Sequence, residues 1–241
     1  MASGGARQRV LLKLSGEVLG GADGLGLDPD VLGRIATEIA EAARQGVETA
    51  IVVGGGNFLR GAALERAGID RWYADQMGML ATVMNGIALG QVLAARGAAA
   101  QVFTAIPCGG SAVLFNKRDC VTALERGTVA ILVGGTGNPY FTTDTCASLR
   151  AVELGATLLL KGTKVDGVYS GDPARDPQAR RFDRISFSDV LAQGLGVMDA
   201  TAIAMCREYA LPIRVFRCLD SGSIRRALLG ESLGTLVAPT G

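Results

Sequence analysis

Ala50-Ile51-Val52-Val53-Gly54-Gly55-Gly56-Asn57 is a short apolar run that stops at three successive glycines. It shows no alternation of apolar and polar residues, which is how a strand covered on both faces reads. The same arrangement stands at Val10–Leu14 before Ser15-Gly16, at Ala130–Val133 before Gly134-Gly135, and at Leu158–Leu160 before Lys161-Gly162. Val102–Ile106, Ile213–Phe216 and Thr235–Val237 are further strand candidates. Helical patterns lie between these runs. Asp28-Pro29 supplies an N-cap and a proline at the first helical position, and Leu32, Ile35, Ala36, Ile39 and Ala43 then recur at helical spacing until Gly46. Helices are also predicted near 71–96, 117–126, 142–154, 188–193, 199–209 and 224–229. Apolar strands alternating with helices predict an α/β fold with a mostly parallel central sheet. Ligands of such sheets bind at the carboxyl ends of the strands, where the glycine clusters fall.

Composition narrows the chemistry. The 241 residues include no histidine, which excludes Ser-His-Asp triads, Cys-His proteases and HExxH metal sites. Lys, Arg, Asp and backbone amides remain, a set suited to phosphoryl transfer onto an already ionised phosphate. A net charge of +1 gives no reason to expect nucleic acid or an anionic membrane as partner. Five scattered cysteines without a CxxC read as reduced core residues, and no protein metal site is expected. Neither a signal peptide nor a membrane-spanning apolar stretch is read in the chain, so a cytoplasmic protein is expected.

Four segments can carry chemistry. In Lys13-Leu14-Ser15-Gly16, a lysine inside a central strand either reaches an anion at the strand end or snorkels to solvent. In Gly54–Gly61, three glycines let amides face an anion, and Arg60 follows within reach of phosphate oxygens; an ordinary tight turn is the alternative. Gly135-Thr136-Gly137-Asn138-Pro139-Tyr140-Phe141-Thr142-Thr143-Asp144 joins flexible backbone, two hydroxyls and a carboxylate at a helix start, which suits a phosphate. It also fits a capped helix entry, and the two readings are compatible. Lys161–Pro173 is a turn-rich loop suited to a purine and ribose, or simply a solvated loop. Neither a GxxxxGK[ST] P-loop nor a dinucleotide-binding GxGxxG context is present. The helix near 71–96 is apolar on more than one side, through Met77, Leu80, Met84 and Ile87 and also Met79, Val83 and Leu89, so a second subunit is expected to cover it.

Taken in order, LLKLSGE (11–17), GGGN (54–57) with Arg60, MGMLATVMNG (77–86), GTGNPYFTTD (135–144), KGTKVDGVYSGDP (161–173) and LPIRVF (211–216) resemble bacterial UMP kinases of the amino acid kinase superfamily. The resemblance runs from Arg9 to about Val237. It implies a three-layer αβα sandwich, with residues 1–8 as a flexible N-terminus and 9–241 as a single domain of the amino acid kinase type. It implies ATP held by Lys13, Leu14, Ser15, Gly16, Gly56, Arg60, Thr163, Tyr169 and Asp172. UMP would be held by Gly55, Asp75 and Thr136, Gly137, Asn138, Pro139, Tyr140, Phe141, Thr142 and Thr143. Lys13, Arg60, Asp144 and Lys161 are the catalytic candidates, with Asp144 orienting the lysines, and Mg²⁺ arriving with ATP. A homohexamer is implied, as are GTP activation through residues near Gly21–Gly26 and UTP inhibition.

Three departures carry expectations of their own. Relatives usually have Asp where this chain has Thr157, and a frequent Phe of the GTP-linked loop is Leu25; the stretch Pro107–Asp119 matches poorly. Thr157 is expected to slow the reaction by removing a charge near the site, with Thr157→Asp restoring rate. It is also the main support for the rival reading, a nucleotide- or oxyanion-binding protein on the same fold without turnover.

Overall fold

The computed structural model describes residues 8–59, 64, 66–173, 175–176 and 178–239. Arg60 and residues 1–7 lie outside the described residues. In chain order the elements are β1 (Arg9–Leu14), α1 (Gly16–Leu19), α2 (Pro29–Arg44), β2 (Glu48–Val53), α3 (Arg71–Ala95), β3 (Ala100–Thr104), β4 (Val113–Leu114), α4 (Lys117–Glu125), β5 (Val129–Val133), α5 (Thr143–Leu154), β6 (Leu158–Thr163), β7 (Val168–Tyr169), β8 (Arg181–Phe182), β9 (Arg184–Ser186), α6 (Phe187–Ala192), α7 (Ala200–Glu208), β10 (Ile213–Arg217), α8 (Ser223–Leu228) and β11 (Thr235–Ala238). Nine strands form one sheet in the order β4-β3-β5-β2-β1-β6-β10-β11-β9. Every pairing in it is parallel except β10 with β11.

Strand pleating divides the core in two. Val10, Leu12 and Leu14 of β1 and Val129, Ile131 and Val133 of β5 pack with residues of α1, α2, α3 and α8. Leu11, Ala130 and Leu132 point the other way, into a second core with α4, α5, α6 and α7. The fold is therefore a three-layer αβα sandwich. Pleating also puts Lys13 on the side of Leu11, beneath α5. The chain runs from β1 to one side through β2, and later returns to place β6 on the other side of β1. The sheet's switch in strand order lies there, the usual seat of a ligand.

The predicted helices and main strands are present with end shifts of one or two residues at most positions. β2 begins earlier than its apolar run, at Glu48, whose carboxylate is buried because Arg9 Nε donates to it at 2.7 Å. The segment 109–114, where the resemblance is weak, holds a single 3₁₀ turn and the exposed edge strand β4. All five cysteines are free; Cys120, Cys146, Cys206 and Cys218 are buried. Burial pushes the Cys120 thiol up to about 12 and the other three up to about 11, which makes them unreactive.

α3 corrects the reading that no stretch has membrane-spanning character. Residues 76–95 carry no charge, and the helix is long and apolar enough to cross a membrane by length and composition. Here it lies on the sheet instead. Gly86 and Gly90 bring it so close that a Cβ on Gly86 would stand 2.3 Å from Val133 Cγ1. Its opposite side exposes Tyr73, Leu80 and Met84 by half or more.

Candidate active site

Lys13 and Lys161 are in-register neighbours on β1 and β6. Two ammoniums so placed repel each other in a poorly solvated position. Asp144, in the first turn of α5, stands between them. Its Oδ1 lies 2.7 Å from Lys13 Nζ and its Oδ2 2.6 Å from Lys161 Nζ. Lys161 Nζ also donates to the Val197 carbonyl. Burial works to raise the Asp144 pKa, but the two ammoniums outweigh it and hold the carboxyl below its ordinary range. Burial lowers the Lys161 pKa, with Asp144 opposing and Lys13 adding to the fall. Only Asp144 pairs directly with the two ammoniums, with Asp199 a further negative charge acting on Lys161, so both lysine heads are held in place for an anion.

Glycine-bearing loops surround this cluster. Gly16, just past β1, touches the glycine run: a Cβ there would lie 2.6 Å from Asn57 Oδ1 and 2.7 Å from both Gly54 O and Gly56 N. A cavity of about 150 Å³ opens beside them, lined by Gly55, Gly56, Asp75, Asn138, Phe141 and Thr143 among others. A larger one of about 610 Å³ lies beyond Lys161, with Thr163, Tyr169, Asp172 and Val197 on its walls. The lysine–aspartate cluster lies at the strand ends between them. β7, through Val168 and Tyr169, lines the larger cavity, and β8 pairs with it. They went unread because strands this short leave no period in a polar loop. Thr235 of β11 anchors them, accepting from Val168 N at 2.8 Å and donating to the Phe182 carbonyl.

The sequence-predicted residues divide accordingly. Lys13, Asp144 and Lys161 meet directly. Gly55, Gly56, Asp75, Asn138, Phe141 and Thr143 share the smaller cavity, and Thr163, Tyr169 and Asp172 the larger. Leu14, Ser15 and Gly16 form the end of β1 and the entry to α1. Thr136, Gly137, Pro139 and Tyr140 belong to the loop above; the Tyr140 N–H donates to Asp75 Oδ2 at 2.7 Å while its ring is exposed. The Thr142 hydroxyl is taken up in structure, capping α5 through Asp144 N and Thr145 N and donating to Asp199. Arg60 lies outside the described residues.

Sequence reasoning missed three supports. Asp199 accepts from the Thr142 and Thr145 hydroxyls and from Ala202 N, tying α5 to α7. Thr82 Oγ1 accepts from Gly134 N at 2.8 Å, fixing the loop after β5. Asn85, wholly buried, donates to Gly54 O at 2.7 Å. The signal was available: Asp75, Gly78, Thr82 and Asn85 form a polar or small stripe at helical spacing on an otherwise apolar helix.

Residues 8–217 match the profile of the Amino acid kinase family. The chain belongs to the amino acid kinase family. It is 48% identical to a uridylate kinase of Vibrio vulnificus over 96% of both chains. A uridylate kinase of Legionella pneumophila is also 48% identical, over 95% of this chain and 93% of that one. Among solved structures, the UMP kinase from Bacillus anthracis superposes with a TM-score of 0.93 at 37% identity, covering 97% of both chains. That from Ureaplasma parvum gives 0.91 at 37% identity, covering 96% of this chain and 99% of that one.

Within the amino acid kinase fold, Thr157 stands at the wrong end of β6 to serve the site. Its N–H and hydroxyl both donate to the Arg9 carbonyl, at 2.9 and 3.1 Å, at the amino ends of the strands. Lys161 is four positions further on, about 13 Å along a strand. The expectation of a slowed site is therefore corrected, and the rival reading loses its main support. A charge at that distance on an exposed position is largely screened. Thr157→Asp should leave kcat and the KM for UMP within about twofold of wild type in a steady-state assay.

Asp144 yields a second prediction. Its folded pKa lies below the ordinary 3.8, so its contribution to stability is complete above that value and is lost as pH falls through the folded pKa. Asp144→Asn leaves two poorly solvated ammoniums without a counter-ion, a loss of about 3–5 kcal/mol. Urea unfolding of both proteins should show a wide gap at pH 7 that narrows only below 3.8. A gap constant from pH 7 to pH 2 would assign the loss to packing instead.

Proposed function

We propose that this chain transfers the γ-phosphoryl group of ATP to UMP, giving ADP and UDP for pyrimidine nucleotide biosynthesis. The observation that carries the reading is the Lys13–Asp144–Lys161 cluster at the strand ends between two cavities of unequal size. The similarity to uridylate kinases over nearly the whole chain supports it independently.

In this reading UMP occupies the smaller cavity, with Asp75 toward its sugar side and the glycine amides and Thr143 toward its phosphate. ATP occupies the larger, with its triphosphate directed over Lys161 toward Lys13 and Gly16. Mg²⁺ enters with ATP, held by phosphate oxygens and water. The attacking oxygen belongs to the UMP phosphate and is anionic at neutral pH, so no protein base is required. The two lysines offset charge spread over the transferring group, and Asp144 keeps both aimed. Arg60 is assigned to the phosphates by resemblance. The enzyme is read as cytoplasmic, with GTP and UTP as effectors.

A coupled assay for ADP release with ATP and UMP tests the reading. UMP should be strongly preferred to CMP and AMP, and Lys13→Ala should cut kcat by about 10²–10³ while its melting curve shows a folded protein. Near-normal turnover in that variant removes Lys13 from the mechanism.

The exposed row Tyr73, Leu80 and Met84 on α3 supports a homo-oligomer, a hexamer by resemblance. Light scattering should give a mass several times 24.8 kDa. A monomer at micromolar concentration overturns the assembly.

A further inference from the structure

Two buried amides have no part in the chemistry described above. Asn57 closes the glycine run and Asn85 lies on α3; they are 2% and 0% exposed. They face each other as a closed pair. Asn57 Nδ2 donates to Asn85 Oδ1 at 2.9 Å, and Asn85 Nδ2 donates to Asn57 Oδ1 at 2.7 Å. Each has a second amide hydrogen, and both go to backbone carbonyls: Asn85 to Gly54 O at 2.7 Å, Asn57 to Gly26 O at 2.6 Å. All four hydrogens are thus engaged.

The bond to Gly54 O has a directional consequence. In a trans peptide the C=O and the following N–H point opposite ways. With Gly54 O drawn toward Asn85, the N–H of Gly55 is turned away from it. Among the described residues, the N–H groups of Gly55 and Gly56 have no acceptor. Both glycines line the smaller cavity. Three consecutive glycines have no side chain to fix the orientation of their peptides, so something else must select it.

We propose that Asn85, steadied by Asn57, is a positioning residue for the acceptor phosphate. It locks the Gly54–Gly55 peptide so that the Gly55 N–H donates to a phosphate oxygen of UMP. The inference rests on reading the smaller cavity as the UMP site.

Calorimetric titration of UMP and of uridine, which lacks the phosphate, separates this role from a merely structural one. The wild-type protein should bind UMP more tightly than uridine. In Asn85→Ala, UMP affinity should fall about ten- to a hundredfold, the range for a hydrogen bond to a charged group, with uridine affinity within about twofold. An unchanged ratio of the two affinities, or equal weakening of both, overturns the proposal. A wild-type protein without preference for UMP over uridine overturns the reading of the cavity instead. If melting shows Asn85→Ala to be unfolded, the double variant Asn57→Leu/Asn85→Leu removes both side-chain amides together, so that neither faces an apolar partner, and only the Gly54 and Gly26 carbonyls lose their donors; it is judged by the same ratio.

Discussion

Lys13 and Lys161 sit side by side on the two central strands, and a sheet that buries two ammoniums there is stable only with a counter-charge between them. Asp144 is that charge, so much else in the fold is arranged around its position. α5 must begin above the ends of β1 and β6, which the Thr142 cap ensures. Asp199 then holds the Thr142 and Thr145 hydroxyls, anchoring the start of α5 to the start of α7. The cluster pairs two ammoniums directly with one carboxylate. Removing either lysine would lessen the attraction for a phosphoryl group; removing Asp144 would leave the two ammoniums repelling each other, with the Val197 carbonyl and Asp199 as the remaining support of Lys161.

A second constraint is close approach. The loop after β1 and the glycine run after β2 pass so near each other that a methyl group at Gly16 has no space. α3 is laid on the sheet by Gly86 and Gly90 and supplies Asp75, Thr82 and Asn85 to three different parts of the site. A helix apolar enough in sequence to span a membrane thus serves as a strut. Its few polar groups bear on the loops, and its exposed apolar side faces away from them.

Much of this was legible because the central strands are apolar on both faces and end in glycine, a pattern that locates the strand ends and hence the site. Lys13 and Asp144 could be singled out because a charge in a strand or at a helix start asks for a partner. The pairing of Lys161 with Lys13 could not, since register between β1 and β6 is a tertiary fact. β7, β8 and β9 are two or three residues long and show no period of their own; Thr235 ties β7 to β8, and β9 is held by pairing with β11. Asp199 and Asn85 act on residues 54 and 31 positions away, where no local pattern points. Thr157 was misjudged for a related reason: adjacency to a functional strand says nothing about which end of it a residue occupies.

The backbone at Thr157 nonetheless has a part to play. Its N–H bonds the Arg9 carbonyl and so fixes the pairing that runs from Val10 with Leu158 to Leu14 with Gly162. In a sheet buried on both faces, a slip of one residue turns every side chain of the strand over. It would carry the Lys161 ammonium from beneath α5 to the opposite layer, away from Asp144. Position 157 therefore tolerates exchange of its side chain, yet gaining or losing one residue in the Gly155–Thr157 turn is an all-or-none event for the chemistry at the other end of the strand.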